Sequence, residues 1–217
     1  MRHSPGDRKA FTRAERNAFF KVAESFDPLA FTFLRFLYDT ASRVTEGLHQ
    51  RWADVDLKAG TATVRRLKGS HSKTLDLGSK LVAALSKLKK NGELVFPGEH
   101  ACAPDPSRKG VLKPRKSGCV WENCPGKHLL RQQVNRWFEE IGAKAKIEPG
   151  LRHPHVLKHT RLCDEARLHK DSGPAGMIAA VRRLSGHASD GALMIYVDEP
   201  EAVAEKVKAT KAALDEF

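Results

Sequence analysis

Residues 37–57, LYDTASRVTEGLHQRWADVDL, lead from the end of one helix into the first strand of a small sheet. The helix is the very apolar segment PLAFTFLRFLYDT (28–40), whose start is marked by Asp27 followed by Pro28. After Arg43 comes a short helical turn, and then the β-favouring run WADVDL. Two more such runs, TATVRRL and KTLDL, follow the connections KAG and KGSHS, which are typical of hairpins. The stretch therefore predicts a buried helix joined to a three-stranded antiparallel sheet.

Helices are predicted on both sides of this stretch. Thr12 and Glu15 have the spacing of a capping box, which opens a first helix that runs through about Ser25. Behind the sheet, SKLVAALSKLKKNG (79–92) has apolar residues at helical spacing and ends in Asn-Gly, and its SKLKK portion is a solvated helix end. The predicted fold class is α+β, mainly helical, with a small three-stranded antiparallel sheet in the first half.

The second half of the chain is predicted to be helical after one interruption. KHLLRQQVNRWFEEIGAKA (127–145) carries a single apolar stripe, and three more helical stretches follow behind Pro154, Pro174 and Pro200. The last of them is a C-terminal helix at about 200–215 with a narrow apolar stripe. A length of 217 residues suits a single domain, which we expect to span 1–217.

The charge of the chain indicates a polyanionic partner. Lys plus Arg number 38 and Asp plus Glu number 26, so the net charge is 38 − 26 = +12. Nucleic acid is the first expectation and an anionic membrane surface the second. The sequence has neither an apolar run of roughly 18 residues nor the apolar stretch of a signal peptide. We therefore expect a cytoplasmic, nucleoid-associated protein without a membrane partner.

The segment from Pro97 to about Gly126 lacks periodicity and is rich in proline, glycine and cysteine, so we expect an insertion or a small subsite. Four residues of zinc-binding type lie in or beside it: Cys102, Cys119, Cys124 and His128. Their spacing, C-x16-C-x4-C-x3-H, matches no common zinc finger, so free thiols are favoured over zinc. Cys163, in a predicted helix, is expected to be a small buried hydrophobic residue.

Several side chains are of the types that bind and stabilise a phosphate in transfer. Cationic and hydrogen-bonding groups directed at the phosphate oxygens lower the barrier, and a protonated Lys or His can protonate the leaving oxygen. The residues with these properties are Arg43, Lys68, His155, Lys158 and His187. Each also has an ordinary structural explanation; Arg43, for example, could be a helix-terminal arginine that pairs with Glu46.

Tyr196 lies nine residues beyond His187 and is one of only two tyrosines in the sequence. Tyrosine acts as a covalent nucleophile when a nearby base or cation helps to remove its proton. The alternative is a core tyrosine that packs its ring and hydrogen-bonds its hydroxyl. The histidine-rich neighbourhood favours the nucleophile.

Five segments together resemble the tyrosine recombinase (phage integrase) family, catalytic domain. LYDTASRVTEGLHQRWADVDL resembles the first signature, which here is formed by Thr40, Arg43, Glu46, Leu48, Trp52 and Asp54. LKGSHSKTLDLG resembles the β-hairpin of the family, PHVLKHT the H-x-x-R-H-T segment, LSGHAS the L-G-H-S segment, and IYVD the segment of the nucleophile. Their order along residues 12–198 is that of the family, which makes the resemblance specific.

The resemblance implies site-specific DNA recombination, with integration, excision or inversion as the outcome. Tyr196 would attack the scissile phosphate and form a 3′-phosphotyrosyl bond, and neither a metal nor another cofactor would be needed. Arg43 and Lys158 would stabilise the pentacoordinate phosphate, and His155 and His187 would assist by hydrogen bonding and proton transfer. Lys68 would protonate the leaving 5′-oxygen, with Lys73 as a rival on the same hairpin.

Lys158 departs from the family pattern, which has arginine at this position. Lysine keeps the charge but loses the planar fork that binds two phosphate oxygens at once. Arg161, one turn further along, falls on a neighbouring face and is not expected to substitute. Lys158 therefore leaves open a catalytically weakened DNA-binding regulator or assembly partner. A type IB topoisomerase-like nicking and resealing enzyme, which shares the same chemistry, is a second alternative.

The resemblance also implies partners. It predicts double-stranded DNA, a homo-oligomer that is a tetramer on DNA, and accessory DNA-bending proteins. In this family the segment beyond the nucleophile often docks on a neighbouring protomer, although packing on its own domain is equally compatible with the sequence. Barely a dozen residues precede the first helix, so the N-terminal DNA-clamping domain of the family is expected to be absent.

Overall fold

The computed structural model describes residues 9–66, 72–90, 92–100 and 129–185, together with Leu193 and Tyr196. Its helices are α1 (Arg13–Phe26), α2 (Pro28–Asp39), α3 (Val44–Leu48), α4 (Ser79–Ser86), α5 (Arg131–Lys144), α6 (His155–Leu168) and α7 (Gly173–Ser185). Its strands are β1 (Val55–Asp56), β2 (Thr61–Val64), β3 (Lys73–Asp76) and β4 (Pro97–His100). The mainly helical α+β fold predicted from the sequence is confirmed.

The first two helices begin where their capping residues predict. Thr12 Oγ1 accepts a hydrogen bond from the backbone N–H of Glu15, and the Glu15 carboxylate accepts one from the backbone N–H of Thr12 at 2.8 Å. Asp27 Oδ1 accepts a hydrogen bond from the backbone N–H of Ala30 at 2.7 Å, and Pro28 occupies the first helical position. These side chains satisfy N–H groups that have no partner within the helix, which fixes each start.

Helix α2 lies at the centre of the molecule and packs against α1, α3, α4 and α6. The core around it is rich in phenylalanine. The rings of Phe19 and Phe138 lie 4.6 Å apart and join α1 to α5, while Phe33 and Phe96 meet edge to face at 4.9 Å. Because α2 contacts both α3 and α6, it holds together the two elements that carry most of the described site residues.

The sheet has the order β1-β2-β3 and is antiparallel throughout. Val55 pairs with Ala62, and Ala62 pairs in turn with Leu75. Ala62, Val64 and Leu75 are buried, so one face of the sheet contributes to the core. The predicted hairpin order is therefore confirmed, whereas helix α4 is shorter than the segment 79–92 and ends at Ser86.

Two expectations need correction. The segment expected to lack regular structure from Pro97 begins with strand β4, and Cys163 is half-buried against the core instead of fully buried. The zinc candidates Cys102, Cys119, Cys124 and His128 lie outside the described residues, as does the predicted helix at 200–215.

Among the helices that the structure describes, none combines the length and apolarity needed to cross a bilayer.

Candidate active site

Arg43 precedes helix α3 and is held by Glu46. Its Nη1 donates to Glu46 Oε1 at 2.8 Å, and its backbone N–H donates to Glu46 Oε2 at 2.9 Å. Gly47 allows α3 to lie directly on α2, since a Cβ there would be 2.8 Å from Leu37 Cδ2. The pairing with Glu46 leaves the Arg43 side chain 30% exposed, so the guanidinium is both positioned and accessible.

Arg66 is a buried arginine that shares the carboxylate of Glu46 with Arg43. Its side chain is fully buried, and its Nη1 donates to the second oxygen of Glu46 at 2.9 Å. Its Nη2 donates to the backbone carbonyls of Thr40 at 2.8 Å and Leu184 at 2.9 Å. Arg66 therefore connects the hairpin to the turn before α3 and to the end of α7. Burial, partly offset by Glu46, lowers the pKa of Arg66.

Lys73 is the alternative to Lys68 as the hairpin lysine that would protonate the leaving oxygen. Its contacts in the structure are with the end of α7. Its Nζ donates to the backbone carbonyls of Arg182 and Arg183 at 3.1 and 2.9 Å, which caps the C-terminal end of α7. Burial and the charge of Arg66 lower the pKa of Lys73. Lys68 and His187 lie outside the described residues, so the hairpin lysine and the second histidine stay predictions.

Helix α6 contributes three polar side chains to the site. His155 is exposed and its ring meets the ring of His159 edge to face, with the centroids 4.6 Å apart. Lys158 is 2% exposed, and its Nζ has no hydrogen-bond partner among the described residues. His155 and His159 are one helical turn apart, which places both on one face of α6.

Tyr196 joins this group from the far end of the chain. Its hydroxyl oxygen lies 2.9 Å from Nδ1 of His159, and the residue is 4% exposed. Burial and the neighbouring Cys163 raise the pKa of Tyr196, whereas the charge of Arg43 lowers it. The phenol is therefore a protonated, hydrogen-bonded group in this conformation.

The electrostatics of the described part of the site keep His155 and His159 neutral at pH 7. Burial, followed by the charge of His155, lowers the pKa of His159 to about 3. His155 is exposed along one edge, but the protein atoms that surround the rest of its ring lower the pKa of the imidazole, and the charges of Lys158 and Arg43 lower it further. Burial and Arg43 lower the pKa of Lys158 to about 8, against an opposing effect of Glu46. A neutral imidazole that faces a phenol can accept its proton, and a surplus of positive charge attracts an oxyanion.

Arg161 is directed away from this group. Its Nη1 donates to Glu165 at 2.8 Å, and it lines a groove of about 860 Å³ between α1, α2 and α6 together with Arg16, Arg35 and Asp164. On α6, positions 161 and 164 are turned away from positions 155 and 159. Arg161 therefore does not take the place of the missing arginine at position 158.

The sequence reasoning missed His159 and Arg66. The spacing of four between His155 and His159 was a usable signal, because it places two imidazoles on one helical face. Arg66 had no such signal, since an arginine at the end of a short strand is typical of an exposed surface. Among the predicted residues, Arg43 is the common neighbour: its charge acts on His155, on Lys158 and on Tyr196.

Comparison with known sequences gives consistent results. The model described as the phage integrase family matches residues 9–202 of this chain. The tyrosine recombinase XerD of Bifidobacterium longum (strain NCC 2705) is 30% identical over 190 residues, which cover 85% of this chain and 55% of that relative. The chain thus spans about half the length of the curated relatives it matches.

Solved structures show the same fold. The post-cleavage complex of the XerH site-specific recombinase with a palindromic difH substrate has a TM-score of 0.65 at 14% identity, covering 96% of this chain and 55% of that one. The Tn1549 transposon integrase (residues 82–397) in complex with circular intermediate DNA has a TM-score of 0.61 at 15% identity. The match covers 95% of this chain and 69% of that one.

Proposed function

The chain belongs to the phage integrase family, and on that premise we propose that it is a site-specific DNA recombinase that cuts and rejoins strands through a 3′-phosphotyrosyl intermediate. The observation that carries the proposal is the hydrogen bond between Tyr196 and His159, beside His155 and Lys158 on the same helix. A tyrosine, a proton acceptor and cations for the phosphate are the groups that this chemistry needs.

In the proposed first step, Tyr196 Oη attacks the scissile phosphorus. The Oη–P bond forms, the bond from phosphorus to the 5′-oxygen breaks, and His159 accepts the phenol proton. The phosphate anion raises the affinity of the neighbouring imidazole for a proton, because an adjacent negative charge favours the imidazolium. In the second step the 5′-hydroxyl of a partner strand attacks the phosphotyrosyl bond and returns the tyrosine.

The cations act on the phosphate itself. Arg43 and Lys158 donate to the non-bridging oxygens, where negative charge increases in the transition state, and His155 adds a hydrogen bond. Lys68 and His187 take the roles that the family resemblance gives them, proton donor to the 5′-oxygen and second hydrogen-bonding histidine. The phosphotyrosyl bond conserves the energy of the cleaved phosphodiester, so the proposed reaction uses no cofactor.

Double-stranded DNA is the proposed partner, bound by a homotetramer in the full reaction and found with the nucleoid in the cell. The net charge of +12 supports a polyanionic partner. The Tn1549 integrase of similar fold was solved in complex with circular intermediate DNA, which supports DNA as the ligand of this fold. Strand exchange needs two sites cut on two duplexes, which supports an assembly of several protomers, aided by accessory DNA-bending proteins.

A DNA-binding regulator without efficient cleavage is the second candidate. Two observations favour it: Tyr196 is 4% exposed and hydrogen-bonded, and Lys158 stands where the family has arginine. A chain with this role would keep the affinity for DNA and lack the covalent step.

A covalent capture experiment separates the two candidates. The chain is incubated with a pool of duplexes that carry a randomised segment and a nick, so that the short fragment diffuses away after cleavage and prevents rejoining. After denaturation, the DNA that remains linked to protein is recovered and sequenced. A recombinase yields a linked, sequence-enriched pool, whereas a regulator yields duplexes retained only under native conditions.

Two tyrosine variants serve as controls for this capture. Tyr196→Phe removes the proposed nucleophile, and Tyr38→Phe removes the hydroxyl of the second tyrosine, which donates to Asp164 at 2.6 Å. The proposal requires that Tyr196→Phe lose the linked DNA and that Tyr38→Phe keep it. Linked DNA without sequence enrichment would support the topoisomerase-like alternative instead.

A further inference from the structure

Lys158 has a buried amino group for which the described part of the chain provides no hydrogen-bonded counter-charge. The residue is 2% exposed, and its Nζ has no hydrogen-bond partner among the residues that the structure describes. An isolated buried charge is costly, and proteins relieve the cost by pairing the group or by leaving it neutral. At Lys158 the described surroundings offer no partner, so the site is built either to receive an anion or to hold a neutral amine.

The groups around Lys158 carry a surplus of positive charge. Among the described residues they are Arg43, which precedes α3, Glu46 in α3, Arg66 after β2, and His155 and His159 in α6 itself. Glu46 is the one carboxylate among them, and its two oxygens already accept from Arg43 and Arg66 at 2.8 and 2.9 Å. Within the described part of the site, two arginines against one carboxylate leave a net positive charge that opposes the ammonium form of Lys158.

We infer that Lys158 takes up a proton when a DNA phosphate binds at this site, so that engagement of the scissile phosphate is coupled to protonation. This inference rests on the proposed function. The proton comes from solvent and goes to Nζ, and no covalent bond changes. A phosphodiester anion supplies the missing counter-charge and favours the ammonium form. An arginine at the same position could not behave in this way, because its guanidinium stays charged throughout the accessible pH range.

The direction of the coupling follows from the state of the free chain. Burial and Arg43 lower the pKa of Lys158 to about 8, so a part of the population is neutral at mildly alkaline pH. Binding of the anion raises this pKa, and the complex therefore holds more protons than the free protein. The affinity for DNA falls as the pH rises above about 8, by up to about tenfold per pH unit for one linked proton.

The test uses the full chain with the Tyr196→Phe substitution, which prevents cleavage, and lysine labelled with ¹³C at Cε. A pH titration by NMR follows every lysine of the free protein, and Lys158→Arg identifies the resonance of Lys158 by its loss. The titration is repeated with the pool of random-sequence duplexes retained by the Tyr196→Phe chain. We expect a midpoint for Lys158 below those of the other lysines, and an upward shift when the duplexes are added.

The affinity for the same duplexes is measured from pH 7 to pH 10 in the Tyr196→Phe chain, which is the parent here, and in the same chain with Lys158→Arg added. The parent chain should lose up to about tenfold per pH unit above pH 8 relative to Lys158→Arg, which retains its charge. A Lys158 midpoint near the ordinary lysine value of about 10.4, or equal pH slopes in the two proteins, would overturn the inference. Lys158→Met provides a second comparison, and it should lose affinity without any excess slope.

The two proposals fail separately. If no DNA is linked covalently to the unsubstituted chain, the proposed function is wrong, while the titration of Lys158 still reports on the coupling. If Lys158 titrates normally while linked DNA is recovered, the coupling is wrong and the recombinase function stands.

Discussion

The hydroxyl oxygen of Tyr196 lies 2.9 Å from Nδ1 of His159, so a residue near the end of the chain is tied to the first half of α6. Burial raises the pKa of Tyr196, and Cys163, one turn further along the same helix, raises it further. The same contact holds the phenol oxygen beside a ring nitrogen of His159, which is the geometry that the proposed proton transfer requires.

Replacement of His159 tests this relationship. His159→Leu removes the proton acceptor, and we expect single-turnover cleavage to fall by about 10²- to 10⁴-fold, the usual range for loss of a general base. DNA affinity should change by no more than a few-fold, because the contact is with the tyrosine. His169→Gln, at the end of the same helix, is the matched control and should cleave normally. Equal rates for His159→Leu and the parent chain would remove His159 from the proposed mechanism.

Lys158→Arg should keep or raise the rate of cleavage, since arginine restores a fork that donates two parallel hydrogen bonds to the phosphate. Lys158→Met should lower the rate by about ten- to a thousandfold, the range for loss of one transition-state donor. Single-turnover measurements on a nicked duplex separate these effects from product release. If the parent chain and Lys158→Met cleave equally fast, this position does not serve the phosphate.

The same lysine should limit stability. The unfolded chain keeps its Lys158 proton up to a pKa near 10.5, whereas the folded chain releases it near 8. The unfolded state therefore binds more protons between these values, and the folded state gains stability as the pH rises from 8 to 10.5. Below pH 8 the full cost applies, so Lys158→Met should be more stable by on the order of 3 kcal/mol. Urea unfolding at pH 7 and pH 10 measures the difference, which should shrink at the higher pH; a constant difference would contradict this explanation.

Arg66 and Arg65 are adjacent in sequence but should respond in opposite ways to substitution. Arg66→Met removes one of the two arginines that pair with the buried carboxylate of Glu46. We expect the free energy of unfolding to fall by about 3–5 kcal/mol. Arg65 is 49% exposed and pairs with Asp54 at the surface, so Arg65→Met should cost less than about 1 kcal/mol. Chemical denaturation of both variants compares them directly. Similar losses would mean that the buried contacts of Arg66 do not organise the site.

Local signals in the sequence predicted most of the described fold. Thr12, Glu15 and the Asp27-Pro28 pair fix helix starts through contacts within a few residues, so their effect can be read without knowledge of the tertiary structure. The hairpins follow from alternating β-favouring runs and short turns in the same way. The order of the five family segments predicted Arg43, His155, Lys158 and Tyr196 as site residues.

What the sequence could not predict depends on contacts between distant segments. Arg66 is buried because it bonds the carbonyl of Leu184, which is 118 positions away. Lys158 lies on α6, which packs against α2 and α7, and nothing in PHVLKHT indicates that its Nζ lacks a hydrogen-bond partner among the described residues. The contact between His159 and Tyr196 spans 37 positions, so no local sequence signal indicates it.

The most direct test of the central claim is to identify the residue that becomes linked to DNA. The linked product from the nicked-duplex incubation is digested with a protease and a nuclease, and the nucleotide-bearing peptide is sequenced by mass spectrometry. Only two tyrosines are present in the chain, so the assignment is unambiguous. The recombinase account predicts a 3′-phosphotyrosyl nucleotide on Tyr196, retained in Tyr38→Phe and lost in Tyr196→Phe. Linkage to any other residue, or no linked peptide from a folded chain that binds the duplex, would contradict it.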